Sequence, residues 1–272
     1  IELAVHYADT RAAATYAGAA RLEAEVGARM LERLDYVRLA PARILDAGCG
    51  PAPQAAALAR RYPGAALVAL DFSLPMLARA RRALGWRARL RGARVLAVCA
   101  ALERVPLAAG SIELAWSNMA LHWAADARAA LAELARVLAP EGLVMFSTLG
   151  PDTLKELRAA VGEARVHRFA DLHDIGDALV AAGFAAPVMD MEMLTLEYAD
   201  ASGLAADLRA SGQTLARRDR GRGLAGRGLR ARLAAAGASA SIEVIYGHAW
   251  KAAPRKLADG RSIVHFERRP LP

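Results

Sequence analysis

A glycine turn between two short apolar runs narrows the folds open to this chain more than any other feature. Residues 42–73 read ARILDAGCGPAPQAAALARRYPGAALVALDFS. Ile44 and Leu45 start an apolar run of buried-strand length, and Asp46-Ala47-Gly48-Cys49-Gly50 turns the chain. Ala55, Leu58, Ala59 and Tyr62 then recur at helical spacing until Pro63-Gly64 stops them. Leu67 to Leu70 make a second apolar strand, which ends on Asp71. The pattern predicts a strand–turn–helix–strand unit in a parallel sheet. Sheets of this kind bind ligands beyond the carboxyl ends of their strands.

Two kinds of ligand use such a unit. A dinucleotide calls for a third glycine and a phosphate on the helix N-terminus. Here Pro53 stands at that third position, and its missing N–H removes a phosphate donor. S-adenosylmethionine carries no phosphate. It needs a turn free of side chains, where its methionine part lies against backbone, and an acid on the second strand for both ribose hydroxyls. Asp46, Gly48 and Gly50 followed by Asp71 suit this second ligand better. The segment resembles motif I and the succeeding acidic residue of class I methyltransferases. A plainer reading of the same residues is a helix-capping turn with a solvated Asp71.

At 272 residues the chain has room for one α/β domain with an insertion. Its hydrophobic share of 55% is rich in alanine, which favours helices and small-residue cores. The net charge of +8 is carried by arginine, with lysine only at Lys155, Lys251 and Lys256. A basic surface suits an acidic partner, although an arginine excess of purely compositional origin explains the charge equally well. Cys49 and Cys99 do not form a disulfide framework, so a reducing, cytoplasmic setting is expected. No Cys/His cluster has metal-ligand spacing, and neither a secretory signal nor a membrane-spanning run is evident. The chain opens on Ile1, so its true start is expected to be missing or processed.

The remaining elements follow in order. Leu22, Val26, Met30 and Leu34 repeat every fourth residue and predict a helix over 19–36, part of an N-terminal cover over 1–42. Tyr16, just before it, either reaches the cofactor carboxylate or packs on the helix. Ser73 caps a helix with Met76, Leu77, Ala80 and Leu84 that closes at Gly85. Residues 95–99 and 112–116 are strands three and four. A helix with Ala127, Leu131, Leu134 and Leu138 is expected to end at Pro140-Glu141-Gly142, ahead of strand five at 143–147. Asp171 to Gly183 reads as a helix, and 187–198 and 241–250 as strands six and seven. The core thus covers 43–198 and 241–252, with a C-terminal tail at 253–272. Between the last two strands lies a long insertion, 199–240, containing the arginine–glycine run Arg217–Arg227. A connection of this length is functional or disordered more often than inert. It reads as a lid or carrier-docking surface in preference to a nucleic-acid segment, because it is short and lacks interleaved aromatics.

Beyond the fold class, the stretches 11–16, 44–50, 69–76, 116–123, 146–157, 173–179, 188–192, 208–212 and 246–250 resemble the malonyl-acyl-carrier-protein O-methyltransferase family. The likeness runs over nearly the whole chain, and 146–157, 208–212 and 246–250 are its most selective pieces. It implies a Rossmann-like, seven-stranded α/β sheet with helices on both faces and a helical lid between strands six and seven. It implies S-adenosylmethionine as cofactor, an acidic acyl carrier protein bearing malonyl as partner, and methylation of the free malonyl carboxylate at the start of pimeloyl synthesis for biotin. The cofactor residues it implies are Asp46, Gly48, Cys49, Gly50, Asp71, Phe72, Met76, Ala101, Leu102 and Asn118. Two departures bear on cofactor affinity. Ala52 replaces a frequent third glycine and is tolerable only at ordinary negative φ. Ala101 replaces the usual acid beside the adenine amino group, leaving the Leu102 N–H to serve the ring.

The acceptor carboxylate is ionised at neutral pH, since a model carboxyl pKa is roughly 4, so no general base is required. A dry pocket and good positioning should carry the rate. Trp116, His122 and Trp123 are the expected pocket residues. Arg209 is the first candidate to hold the carboxylate, with Tyr16 and His248 behind it; the alternative for Arg209 is a solvated helix arginine. Carrier docking on the basic lid should weaken with salt. Rival readings are a nucleic-acid methyltransferase, a small-molecule methyltransferase with His122 as base, and a cofactor-binding protein without catalysis. The first lacks its motif, because Ser117-Asn118-Met119-Ala120 follows strand four.

Overall fold

The computed structural model describes residues 15–16, 18–83, 95–213, 228, 231–233 and 237–253. Expectations that fall on residues 1–14, on Leu84 and Gly85, on Arg217–Arg227 and on 254–272 lie outside the described residues.

Helix α1, Arg21–Arg33, precedes strand β1, Arg43–Ala47. Helix α2, Ala55–Arg61, leads to β2, Ala66–Asp71, and α3, Leu74–Ala83, precedes β3, Val95–Cys99. Then come β4, Ile112–Ser117, and α4, Ala127–Val137, followed by β5, Leu138–Leu149, and α5, Lys155–Val161. Helix α6, Leu172–Ala181, β6, Phe184–Glu197, α7, Ala201–Ala210, and β7, Ser239–Lys251, complete the series. The strands form one sheet in the order β3-β2-β1-β4-β5-β7-β6. Neighbours from β3 to β5 are parallel, and β7 runs antiparallel between β5 and β6.

Each face of the sheet has its own core. On one side Val26 and Met30 of α1, Leu34 just after it and Leu58 of α2 pack with Ile44, Leu114 and Trp116. On the other, Leu131 and Leu134 of α4 and Ile175 and Leu179 of α6 cover Leu45, Ala115 and Phe146. Alternate strand residues therefore feed opposite cores, as strand geometry demands. The order reverses direction between β1 and β4, and that switch point opens the crevice at the strand tips.

Three details differ from the sequence reading. Helix α4 stops at Val137, because Leu138 takes an extended conformation (φ −70°, ψ 136°) and pairs with Ile112. Pro140-Glu141-Gly142 therefore belongs to β5, where Glu141 has φ 63° and the register against β4 shifts. Ala52 does not keep a negative φ; it sits at 57°, in the left-handed region that glycine favours. On α1, Leu22 is half-buried, and the residue turned inward at that level is Glu23. Cys49 is buried, Cys99 is exposed at the end of β3, and both are free thiols.

Candidate active site

Two cavities lie at the carboxyl end of the sheet. The first is lined by Tyr16, Gly48, Gly50, Asp71, Phe72, the stretch Ala100–Glu103, Asn118–Ala120 and Trp123. Its floor is the glycine turn. The N–H groups of Gly48 and Cys49 donate to the Leu70 carbonyl at 2.8 and 2.9 Å, which ties the turn to β2. Gly48 (φ 77°) has no space for a side chain, because a Cβ would lie 2.2 Å from that of Ala120. At Gly50 (φ 53°) a Cβ would meet only the Tyr16 hydroxyl, 4.0 Å away, so the backbone there faces open cavity.

Asp71 ends β2 at the same point. Its carboxylate accepts from the Gly50 N–H at 2.8 Å and from the Ser73 N–H at 2.7 Å. The side chain is 4% exposed, and burial raises its pKa to about 6 against those two bonds. Asp46, beneath the turn, is pushed up to about 7 by burial and then by the charge of Asp71. One of its oxygens, Oδ2, is buried without a hydrogen-bond partner among the described residues. Tyr16, Met76 and Trp123 pack together at the edge of this cleft with Phe72 against them. A side-chain-free turn, a buried acid at the tip of the second strand and an apolar slot beside Ala101 and Leu102 fit a sulfonium nucleoside.

Asn118 fixes the rim. Its Oδ1 accepts from the Ser147 hydroxyl at 2.9 Å, and its Nδ2 donates to the Glu23 carbonyl at 2.8 Å. Helix α1 is thereby held to the mouth of the cleft. Gly27 permits the close approach, since a Cβ there would stand 2.2 Å from Gln54 Nε2.

The second cavity lies beyond β5, beneath α7. Leu149, Leu154, Leu157, Val166, Phe169, Leu204 and Ile242 make its apolar wall, and Glu23, Arg165, His167, Tyr198, Asp207, Arg209 and Gln213 supply polar groups. Glu23 is 4% exposed and accepts from Gln213 Nε2 at 3.0 Å. Burial raises its pKa, and the nearby charge of Asp207 adds to that. Asp207 accepts from the Tyr198 hydroxyl at 2.9 Å. Between the cavities stands an aromatic group: His122 lies 5.4 Å from Trp123 and 5.8 Å from Phe169, and Trp123 lies 5.7 Å from His167. Burial and then the neighbouring His167 push His122 down to a pKa of about 3, Gln213 opposing both. It is a neutral imidazole at physiological pH and far too weak a base for general-base work.

The tip of the sheet thus gathers Tyr16, Gly48, Gly50, Asp71, Phe72, Ala101, Leu102, Asn118 and Trp123 around one cleft, with Asp46, Cys49 and Met76 packed behind it. Four expected residues fall elsewhere, and one of them is His122, which stands between the cavities and lines neither. Trp116 is completely buried in the core under α1 and lines neither cavity, because its position in β4 turns it away from the tips. His248 pairs with Met145 in the middle of the sheet, four residues from the Val244 that adjoins the β5 tip, and lines neither cavity. Arg209 is exposed near the end of α7 and lines the second cavity rather than the cleft that holds Tyr16.

Residues 45–146 match the family model described as a methyltransferase domain. A relative from Methylovorus sp. (strain MP688), a malonyl-acyl-carrier-protein O-methyltransferase, is 52% identical over 95% of this chain and 92% of its own length. The chain belongs to that family. A second malonyl-acyl-carrier-protein O-methyltransferase, from Gallionella capsiferriformans, is 49% identical over 96% of this chain and 94% of its own. Among solved structures, the YcgJ protein of a Bacillus species superposes with a TM-score of 0.60 at 18% identity, covering 83% of this chain and 99% of that one. At that identity the likeness speaks for the fold, and the fold is that of class I methyltransferases.

For this malonyl-acyl-carrier-protein O-methyltransferase family member, the sequence reading missed much of the second cavity. Glu23 was legible: 23, 26, 27, 30 and 34 share one helix face, so an acid there lies on the core stripe. Arg165, Asp207 and Gln213 gave no such signal, because the turn after α5 and the α7 segment meet only in the folded chain.

Proposed function

We propose that this chain methylates the free carboxylate of a malonyl thioester on acyl carrier protein, using S-adenosylmethionine, in a cytoplasmic setting and at the entry to pimeloyl synthesis. The cofactor, when bound, supplies an electrophilic methyl group on a sulfonium. Asp71 would accept the ribose hydroxyls, the Gly48–Gly50 backbone would lie along the methionine part, and the Leu102 N–H would face the adenine. The second cavity would hold the acyl end of the acceptor. His122, Trp123, His167 and Phe169 would keep water from the junction, which strengthens the attraction between an anionic acceptor and a cationic methyl donor.

No group on the chain needs to remove a proton, since the acceptor is already ionised. His122, held neutral, fits that chemistry and argues against a base-dependent phenol methylase. Helix α7 over the second cavity supports reading 199–240 as a lid, and the chain's net charge of +8 supports an acidic carrier as partner. The observation that carries the reading is the pairing of two cavities through Asn118 and Glu23: one shaped for a nucleoside, the other apolar with arginines on its wall.

Intact-mass spectrometry tests it. Malonyl-carrier protein incubated with enzyme and cofactor should gain the mass of one methyl replacing one hydrogen, and acetyl-carrier protein should gain nothing. An equal gain on both would show that the carboxylate is not the acceptor.

A further inference from the structure

We infer that Arg165 is the guanidinium that binds the acceptor's carboxylate inside the second cavity, a role that rests on the malonyl reading above and sharpens it. Most half-buried arginines among the described residues have partners. Arg29 and Arg33 pair with Glu192 and Asp190 on β6, and Arg61 pairs with Asp35. Arg136 pairs with Glu133 and donates to the Val105 and Leu107 carbonyls. Arg158 donates to the Pro151 and Thr153 carbonyls. The guanidinium groups of Arg79 and Arg165 have no hydrogen bond or ion pair among the described residues, and of these two only Arg165 lines a cavity.

Local structure explains why Arg165 is left without a counter-charge. Gly162, at φ 91°, ends α5 and starts a 3-10 turn over Glu163–Arg165. The nearest acid in sequence, Glu163, points back to Arg158, 3.7 Å from its Nε. The two acids of the cavity are engaged elsewhere, Glu23 with Gln213 and Asp207 with Tyr198. A guanidinium that lines the same cavity as two carboxylates, yet lies beyond ion-pair distance of both, is held for a ligand. Its ideal partner is a planar carboxylate, which takes two parallel N–H bonds. Arg209 lines the same cavity but is exposed, and is better placed to meet the outer part of the acceptor.

A malonyl carrier presents two anions, the terminal carboxylate and the phosphodiester of its arm, so the test must separate them. Malonyl-N-acetylcysteamine keeps the carboxylate and thioester but has neither phosphate nor protein. For Arg165→Gln, kcat/KM should fall about 10- to 100-fold with both malonyl-carrier protein and malonyl-N-acetylcysteamine. Affinity for S-adenosylhomocysteine should stay within twofold of wild type. Arg165→Lys should recover part of the loss, because it restores charge without the fork. A loss confined to the carrier substrate would make Arg165 a phosphate or carrier contact and overturn the inference, as would no loss on either. Wild-type protein that methylates neither thioester would instead sink the malonyl reading. Calorimetry of malonyl-N-acetylcysteamine with S-adenosylhomocysteine present reads the contact without turnover, and binding that survives Arg165→Gln within twofold overturns it.

Discussion

Gly48 and Gly50 lie two residues apart in one turn, both at positive φ, yet replacing each by alanine should break different things. At Gly50 the methyl group enters open cavity. The left-handed backbone costs an L-residue about 1–2 kcal/mol, and the stiffer unfolded chain returns about 0.4–1 kcal/mol. Gly50→Ala should therefore destabilise by about 1 kcal/mol and lower Tm by roughly 2–4 °C for a chain of this size. Its methyl would occupy space assigned to the methionine part of the cofactor, so affinity for S-adenosylhomocysteine should fall about 10- to 100-fold. At Gly48 the same change puts a Cβ 2.2 Å from that of Ala120 on top of the same strain, and about 2–5 kcal/mol of stability should go. Thermal melts and calorimetry on the two variants settle the matter. A folded Gly50→Ala protein that binds the nucleoside like wild type would refute the assignment of this cleft.

Asp71 has its pKa raised to about 6, so it loses charge as pH falls below that value, and cofactor affinity should weaken by up to about tenfold per unit between pH 6 and 4. Because the folded pKa lies above the unfolded one, the cofactor-free protein should lose stability as pH climbs from about 4 through 6, and Asp46 acts in the same direction. Calorimetry across that range should show the slope for wild type and a flat, weak profile for Asp71→Asn; parallel profiles would remove Asp71 from the site. Gly27→Ala should push Gln54 and Asn118 aside, lowering cofactor affinity about three- to tenfold while helix propensity offsets much of the stability loss. A variant with wild-type affinity would show that α1 does not organise the cleft.

The parts of this molecule that were legible in its sequence are those built from contiguous residues. The strand–turn–helix–strand unit, the acid on β2 and the presence of the last two strands follow from spacing and from a few glycines and prolines. Where that reading failed, longer-range contacts decided. Trp116 adjoins the strand tip in sequence, but the two-residue period of β4 sends it into the core. Leu138 fits the helical spacing of α4, yet its pairing with Ile112 draws it into β5. Ala52 shows a different limit: sequence identifies the position where glycine is usual, but only the backbone shows that alanine adopts the left-handed conformation all the same. The second cavity, assembled from α1, the turn after α5, β6 and α7, has no local signature at all.

The most direct test of the whole account is a crystal structure with S-adenosylhomocysteine and a malonyl thioester analogue bound. The nucleoside should lie between the Gly48–Gly50 backbone and the Asp71 carboxylate, with the acceptor entering from beneath α7. A nucleoside seated in the second cavity, or an acceptor reaching the sulfur from any other side, would contradict it.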